Sequence, residues 1–375
     1  MKRIILLISL SILAFSVSGC GNSSNTEISE YIQNVGGDNA VGDGYGNMNK
    51  NLDIITLDDN VINLEKGLSA VKYEGDYGFD EFLKQGGAES DSDVVAFLSE
   101  NILSSGGLSF GKFPFGCSTV SVNDPDGNFI FGRNFDWDHC NAMIVQSVPA
   151  NGYASISTVN TDFISMSGMK LTKLPDTAQA VICLYAPLDG MNEMGLAVSV
   201  NMIQDSATIS QNSDKPDITT TTAIRLLLDK AANVDEALEL LEQYDMHASM
   251  EYMTHLAIAD TNGRSVAVEY IDNEMVVIET PVVTNFYLAD VDKYGIGTEQ
   301  SRERYDILNR FLSENKTADM AAVGNALDSV SKDNFNEFES TEWSVVFNQS
   351  TGEAHYFHRE NYDKKYVFSI KQEGV

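Results

Sequence analysis

Basic residues are scarce in this chain. It has 24 lysines and arginines against 55 aspartates and glutamates, which gives a formal net charge of -31 at pH 7. Such a surface repels phosphate backbones and offers no basic groove, so the composition argues against nucleic-acid binding. The acidic residues are spread along the chain, and we interpret their charge as a source of solubility.

The apolar run at the N-terminus is too short to be a convincing membrane span. It covers residues 4–17, follows two basic residues and is followed by the small residues that precede Cys20, which is typical of an export signal. The ending VSGC resembles the lipobox of bacterial lipoproteins, in which the cysteine is lipidated and becomes the new N-terminus. We therefore predict a signal peptide over residues 1–20, with a plain cleaved signal as the alternative. Lipidation of Cys20 would anchor the protein to the outer face of the bacterial cell membrane.

Residues 21–52 contain much glycine, asparagine and serine and show no hydrophobic periodicity. This composition predicts a flexible tether between the anchor and the folded part. The net negative charge adds no attraction to anionic lipid, so the acyl chain alone would hold the protein at the membrane.

Cysteine and histidine are also rare, with four and five residues. With Cys20 assigned to the leader, Cys117, Cys140 and Cys183 form an odd set, so at least one thiol stays free. CxxC and HExxH spacings are missing, and we predict no metal and no cofactor. We interpret Cys140 and Cys183 as core residues.

Helices and strands are predicted in groups rather than in alternation. Helical periodicity and capping residues predict helices over residues 91–105, 219–244 with a break near 233–235, 298–312 and 317–330. β-Rich runs predict strands within residues 118–124, 128–135, 177–187, 195–203, 254–263, 265–271, 275–286 and 343–358. This grouping favours a layered α+β fold. The first two strands are joined by Asp124-Pro125-Asp126-Gly127, which suits a type I turn.

Cys117 follows a glycine and lies at the start of this β-rich region. A thiol is a weak nucleophile at its free pKa of about 8.5 and needs a base or a nearby positive charge. Histidine is the usual base, but no cysteine-protease sequence surrounds Cys117. Cleavage between Gly116 and Cys117 would supply another base, an α-amine with a pKa of about 7.7 to 8. Glycine leaves the scissile carbonyl uncrowded and tolerates strained backbone angles.

The stretch CSTV from Cys117, followed by FGRNFD with Arg133 and Asp136, resembles the start of the choloylglycine hydrolase family. These are N-terminal-nucleophile enzymes that include bile salt hydrolases and penicillin V acylases. The arginine and the aspartate follow the cysteine by 16 and 19 residues, as in that family. The stretch is also similar to the isopenicillin N acyltransferase and acid ceramidase relatives, which cut themselves before the cysteine.

Three later stretches extend the resemblance, which covers roughly residues 117–370. DGMNEMGLAVSVN, ending at Asn201, resembles the family's turn and strand with a substrate-side asparagine or tyrosine, although the strand is one residue shorter here. The strand pair ending at Asn285 resembles the segment that leads to the family's oxyanion asparagine. Gln300-Ser301-Arg302 resembles the step that supplies a second arginine.

The resemblance implies a four-layer αββα sandwich and a role for each matched residue. Cys117 would be the nucleophile and, through its freed amine, the general base. Asp136 would hold that amine, while Arg133 and Arg302 would favour the thiolate and order the carboxylate. Asn285, with a backbone N–H near Asn201, would stabilise the tetrahedral oxyanion.

We therefore predict that residues 53–116 form a pro-segment, which is either released or retained as a small subunit, and that residues 117–375 form the catalytic domain. The predicted activity is hydrolysis of linear non-peptide amides of N-acyl amines, such as bile salts, penicillin V or acyl-homoserine lactones. Two alternatives are an acyltransferase of the isopenicillin N acyltransferase type and a lipoprotein that binds a ligand without turning it over.

Overall fold

The computed structural model describes residues 53–101, 108–111, 115–166, 170–332 and 339–371. The predicted signal peptide, Cys20 and the tether lie outside the described residues. The helices are α1 Phe79–Lys84, α2 Asp91–Asn101, α3 Asp176–Leu184, α4 Thr220–Lys230, α5 Val234–Leu241, α6 Glu299–Glu314 and α7 Met320–Asp328. The strands are β1 Ile62–Glu65, β2 Leu68–Gly75, β3 Leu108–Phe110, β4 Gly116–Asn123, β5 Phe129–Trp137, β6 Ala142–Pro149, β7 Ser155–Asn160, β8 Ile164–Met166, β9 Asp189–Asn192, β10 Ala197–Met202, β11 Asp217–Thr219, β12 Asp245–His247, β13 Thr254–Ala259, β14 Ser265–Ile271, β15 Glu274–Glu279, β16 Val282–Val283, β17 Ser340–Asn348, β18 Glu353–His358 and β19 Lys365–Ser369.

Four layers are stacked in the described part of the chain. One sheet has nine strands in the order β1-β2-β6-β7-β9-β10-β13-β14-β15, and the facing sheet has six in the order β16-β4-β5-β17-β18-β19. Helices α3 and α4 cover the nine-stranded sheet, α6 and α7 cover the six-stranded sheet, and β10 contacts β4 between the sheets. The predicted αββα sandwich is confirmed.

Side-chain alternation along β17 separates two cores. Val345 and Phe347 pack in the larger core, which includes the space between the sheets, whereas Val346 packs with Val323 and Leu327 of α7. Successive side chains of a strand point to opposite faces, so each face of this strand is covered by a different layer. All nine residues of β17 are buried, and apolar residues of both faces meet in the run Val345 to Phe347.

The first strands and helices are an integral part of this sandwich. Strand β2 lies between β1 and β6, and it pairs with β6 in parallel from Leu68 to Gly75. Phe79 and Phe82 of α1 are buried and make ring contacts with Tyr185, which follows α3. Within the described residues, the segment before Cys117 thus contributes both to a sheet and to the core.

The predicted hairpin after Cys117 is confirmed. Strands β4 and β5 pair antiparallel, and the N–H of Gly127 donates to the carbonyl of Asp124 at 3.1 Å across the turn. The φ angle of Gly127 is +86°, a left-handed value that glycine adopts without a steric penalty. The helix predicted over residues 91–105 is present as α2 up to Asn101, and residues 102–105 lie outside the described residues.

The strand predicted within residues 177–187 is wrong, because this apolar run forms helix α3. The helix begins directly after Pro175, and Asp176 lies in its first turn. Residues 180–184 are all buried because the helix lies against β2 and β6. A short run of apolar residues has the same appearance in a buried helix and in a buried strand, so its periodicity does not distinguish them.

Candidate active site

The β4–β5 hairpin brings Cys117, Arg133 and Asp136 together. In its register, Gly116 is opposite Asp136 and Thr119 is opposite Arg133. Because side chains alternate along a strand, Cys117 and Arg133 share the face that looks between the sheets, and Asp136 lies on the opposite face, towards α6. The cluster is therefore split between two sides of one sheet.

The thiol of Cys117 is completely buried. Its Sγ accepts a hydrogen bond from Nη2 of Arg133 at 3.3 Å and lies 3.5 Å from the carbonyl oxygen of Val200. Burial raises the pKa of this thiol to about 11, because desolvation of the thiolate outweighs the favourable charge of Arg133. In the uncut chain the sulfur is therefore a neutral thiol at pH 7.

Arg133 is fixed beside the sulfur by a buried ion pair. It pairs with the carboxylate of Asp189 through Nη1, and its Nε donates to Oγ of Ser199 at 3.2 Å. Nε1 of Trp343 donates to the same carboxylate at 2.9 Å, and the guanidinium carbon lies 5.6 Å from the Trp343 ring. Since both charged groups are fully buried, removal of either would leave an uncompensated charge in the core.

Asp136 lies among polar groups on the other side of the sheet. One carboxylate oxygen accepts from Oγ1 of Thr341 at 2.7 Å and the other from Nη1 of Arg304 at 3.3 Å. Nζ of Lys332 lies 3.8 Å from that second oxygen. The carboxylate therefore stands next to Gly116, on the acyl side of the bond between Gly116 and Cys117.

Asn285 contacts the backbone nitrogen of Cys117. Its Oδ1 accepts from that N–H and from Nη2 of Arg304, both at 2.8 Å. Its Nδ2 donates to the carbonyl oxygen of Met202 at 2.7 Å, and its own backbone N–H donates to Oγ of Ser301 at 2.6 Å. The acceptor end of the amide thus faces the nitrogen of the predicted cleavage bond, while the donor end is occupied by Met202.

Asn201 is buried one residue from the carbonyl that contacts the thiol. Its Oδ1 accepts from Oγ of Ser199 at 2.7 Å, and its Nδ2 donates to the carbonyl of Val283 at 3.3 Å. The side chain connects β10 of one sheet with β16 of the other. In the uncut chain, both amide ends are therefore bonded to neighbouring residues.

Arg302 is not part of this cluster, so the prediction of its position is corrected. It is exposed, and its Nη1 donates to the carbonyls of Gly295 and Gly297 at 2.7 and 3.2 Å. Arg304 occupies the site instead, where it donates to the carbonyl of Cys117 as well as to the groups described above. Two residues along an α-helix are rotated by about 200°, so Arg302 and Arg304 cannot both face the sheet.

A buried pair supports the segment that carries Asn285. His255 faces the carboxylate of Glu269 at 3.1 Å with Nδ1 and the carbonyl of Thr284 at 2.8 Å with Nε2. Burial raises the pKa of Glu269, but hydrogen bonds from His255 and from the N–H groups of Leu288 and Ala289 lower it more, so the net pKa lies below its ordinary value. Glu269 thus holds the backbone after Asn285, and His255 holds the carbonyl of Thr284 before it.

Three charged residues around the Gly116–Cys117 bond were not predicted from the sequence. Arg304 lies two residues after Arg302 in the same helix, and only its helical phase distinguishes it as the buried arginine. Asp189 is the first residue of the motif that ends at Asn201, so that motif contains two site residues. Lys332 follows α7 outside any motif, and no pattern indicated it.

Phe115 is packed two residues before Cys117. The Phe115 side chain is completely buried, with its ring 5.6 Å from that of Phe135 and 6.3 Å from that of Phe163. Its backbone N–H donates to Sδ of Met202 at 3.4 Å. In the uncut chain Phe115 therefore lies between Met202 of β10 and Phe135 of β5.

Several other features of the described ranges bear on ligands. Cys117, Cys140 and Cys183 are free and buried there. Within the same ranges, no three His, Cys, Asp or Glu side chains stand close enough together to hold a metal ion. None of the helices in these ranges has the length and apolar character needed to cross a membrane.

The fold is that of the N-terminal nucleophile hydrolases. It combines four layers with a cysteine at the start of a strand, and the side chain of this cysteine points towards the opposite sheet. The chain is similar to the crystal structure of a variant of conjugated bile acid hydrolase from Clostridium perfringens, with a TM-score of 0.51 and 17% identity. The match covers 69% of this chain and 93% of that chain. At this identity the likeness concerns the fold.

Within this class, residues 117–303 match the family model of linear amide C–N hydrolases, choloylglycine hydrolase family, and the chain belongs to that family. The chain is also 31% identical over 99 residues to penicillin V acylase of Pectobacterium atrosepticum. That match covers 24% of this chain and 26% of the relative, or about a quarter of its length. The predicted family is confirmed.

Proposed function

We propose that this protein is an exported enzyme that hydrolyses linear non-peptide amide bonds of an N-acyl amine through an acyl-enzyme on Cys117, after cutting itself between Gly116 and Cys117. The observation that carries the proposal is the arrangement around this one peptide bond. The sulfur of Cys117 lies beside Arg133, and the backbone N–H of Cys117 donates a hydrogen bond to Asn285. Membership of the linear amide C–N hydrolase family supports the type of reaction.

The proposed self-cleavage transfers an acyl group from nitrogen to sulfur. Sγ of Cys117 adds to the carbonyl carbon of Gly116, the C–N bond breaks, and the thiol proton ends on the nitrogen. Water then hydrolyses the thioester, which leaves a carboxylate on Gly116 and a free thiol and amine on Cys117. Arg133, 3.3 Å from Sγ, favours the thiolate that burial opposes.

The freed amine would then serve as the base in substrate hydrolysis. An α-amine has a pKa of about 7.7 to 8 and accepts the thiol proton near neutral pH. Asn285 already accepts a hydrogen bond at this nitrogen, and Arg304 bridges Asn285 to Asp136. We assign the orientation of the amine to these three residues. A second role of Asn285, as donor to the oxyanion, requires its Nδ2 to leave the carbonyl of Met202.

We further propose that the pro-segment is retained as a small subunit and that Cys20 carries the lipid. Strand β2 pairs with β6 along its length, which supports retention. A retained pro-segment would keep the catalytic part at the outer face of the membrane after the bond before Cys117 is cut. Release of the pro-segment would instead leave the catalytic part free.

Intact mass measurement of the full chain tests the proposed cleavage. The wild-type protein should show a new N-terminus at Cys117, and Cys117→Ala should remain one uncut and inactive chain. Cys183→Ala is the matched control, because Cys183 is equally buried and its thiol lies 3.7 Å from Sδ of Met143. A wild-type chain that stays uncut but active would contradict the amine-as-base mechanism.

A panel of N-acyl amides tests the reaction. Penicillin V and a conjugated bile acid belong in the panel, since proteins named for them are similar to this chain. We expect amine release with equal formation of the free acid. Exclusive formation of a new amide with an added amine would replace hydrolysis by acyl transfer. A lack of turnover by the cleaved protein, with slow thiol alkylation near neutral pH, would favour ligand binding alone.

A further inference from the structure

Lys332 lies beside the proposed cleavage bond with its charge buried. The residue is 6% exposed, its Nζ pairs with Glu339, and it stands 3.8 Å from the carboxylate of Asp136. Its backbone N–H donates to Oγ1 of Thr341 at 2.8 Å. Both the backbone and the ammonium group are therefore anchored on the acyl side of the bond.

The space around Gly116 is tight, although its backbone conformation does not call for glycine. It lies in strand β4, and its φ is outside the left-handed region that favours glycine. A Cβ at this position would stand 2.9 Å from Nζ of Lys332 and 3.1 Å from both Cβ and Oδ2 of Asp136. These distances are shorter than ordinary van der Waals contacts of 3.4–4 Å. Moving the ammonium away would disturb its ion pairs.

The surroundings of Gly116 also describe the place of a substrate's acyl group, if the proposed function holds. In self-cleavage the carbonyl carbon of Gly116 becomes bonded to Sγ of Cys117. A substrate acyl group must form its thioester with the same sulfur. Its α-carbon should therefore occupy the position of the Gly116 α-carbon, next to Lys332 and Asp136.

We propose that Lys332 and Asp136 make the acyl site selective for acyl groups whose α-carbon is an unbranched methylene. This inference rests on the proposed function. A branch that projects like the side chain of an L-amino acid meets the ammonium group and the carboxylate, whereas two hydrogens do not. The same contact disfavours cleavage of peptide bonds after any residue that has an L side chain. It therefore contributes to the selectivity of the enzyme for non-peptide amides.

A double-mutant cycle on self-cleavage tests the role of Lys332. The rates for wild type, Gly116→Ala, Lys332→Ala and the double variant would be followed in the full chain by intact mass. The added methyl group should lower the self-cleavage rate of Gly116→Ala about tenfold or more relative to wild type. The same substitution should lower the rate less when Lys332 is already alanine. Gly324→Ala is the control, because its Cβ would meet only ordinary contacts of 3.6 and 3.7 Å.

The outcomes separate the two proposals. If Gly116→Ala is cut as fast as wild type, or is slowed equally in both backgrounds, the selectivity inference is overturned while the proposed function stands. If the wild-type chain is never cut, the proposed function fails and this inference fails with it.

A second measurement uses the cleaved wild-type protein and requires no variant. The probes are the 4-nitroanilides of N-acetyl-phenylalanyl-glycine, which reproduces residues 115 and 116, and of N-acetyl-phenylalanyl-L-alanine, which adds a methyl group at the position of residue 116. We expect kcat/KM for the glycine compound to exceed that of the L-alanine compound by about tenfold or more. Equal values for these two would overturn the inference.

Discussion

The amide oxygen of Asn285 lies 2.8 Å from the backbone nitrogen of Cys117. This nitrogen belongs to a peptide bond in the uncut chain and to an amine after the proposed cleavage. Its hydrogen-bond acceptor is therefore in place before the base exists. The new amine would therefore need no rearrangement of its acceptor, because Arg304 and the backbone of Met202 already orient the Asn285 side chain.

We expect Asn285→Asp to separate self-cleavage from turnover. Aspartate keeps an acceptor for the Cys117 nitrogen but loses the amide donor, so cleavage should continue while kcat falls about 10² to 10³-fold, as for an oxyanion donor. Intact mass and amine release measure the two steps. Asn262→Asp, at an exposed turn, is the control and should keep kcat close to the wild-type value. Equal loss of both steps in Asn285→Asp would argue against the two roles.

We expect Arg304→Met to be much more damaging than Arg302→Met. Arg304 is buried between Asp136 and Asn285, and breaking a buried ion pair typically costs about 3–5 kcal/mol. Arg302 is exposed, where substitutions usually change stability by about 0.5 kcal/mol or less. Denaturant unfolding and the cleavage rate compare the two variants. A large effect of Arg302→Met would restore the earlier assignment.

We expect Glu269→Gln to destabilise the fold in a pH-dependent way. A carboxyl whose pKa is lowered in the folded chain adds stability above its ordinary value of 4.5 and loses that stability as the pH falls through the lower folded value. The difference in unfolding free energy from wild type should therefore be about 3–5 kcal/mol at pH 7 and shrink below pH 4.5. The exposed Glu279→Gln should change stability by about 1 kcal/mol or less. A difference that is constant between pH 3 and pH 7 would contradict this assignment.

We expect the two pieces to stay together after cleavage. Size-exclusion chromatography and native mass spectrometry should show one complex that separates only in denaturant. Val71→Asp places a charge in the buried face of β2 and should cost several kcal/mol, which would release the pro-segment or prevent folding. Lys72→Gln, on the same strand, should leave the complex intact. Elution of the catalytic part alone from the wild-type protein would show release.

The sequence alone predicts the family, the four-layer arrangement and the β4–β5 hairpin. Within the hairpin, spacing alone is informative, because an antiparallel pair with a short turn fixes which residues face each other. This is why Cys117 and Arg133 meet as expected. Their common face follows from the register, with Thr119 opposite Arg133.

Other parts of the site depend on contacts between distant segments, which have no local pattern. Helix α3 was misassigned because its apolar run fits either structure, and only its position against β2 and β6 decides between them. The motif Gln300-Ser301-Arg302 predicts Arg302 as the second arginine of the site, whereas the helical phase of α6 places Arg304 against the sheet. Lys332 lies 216 positions after Gly116 along the chain, so only the folded chain shows their contact.

The parallel pairing of β2 with β6 has a further consequence for the cleaved enzyme. If the piece before Cys117 were lost, the backbone N–H and C=O groups of β6 on that side would have no partners. Such an open edge invites strand addition by other chains and therefore aggregation. Retention of the small piece would thus protect the mature protein from association with its own copies, a benefit separate from any part the piece takes in catalysis.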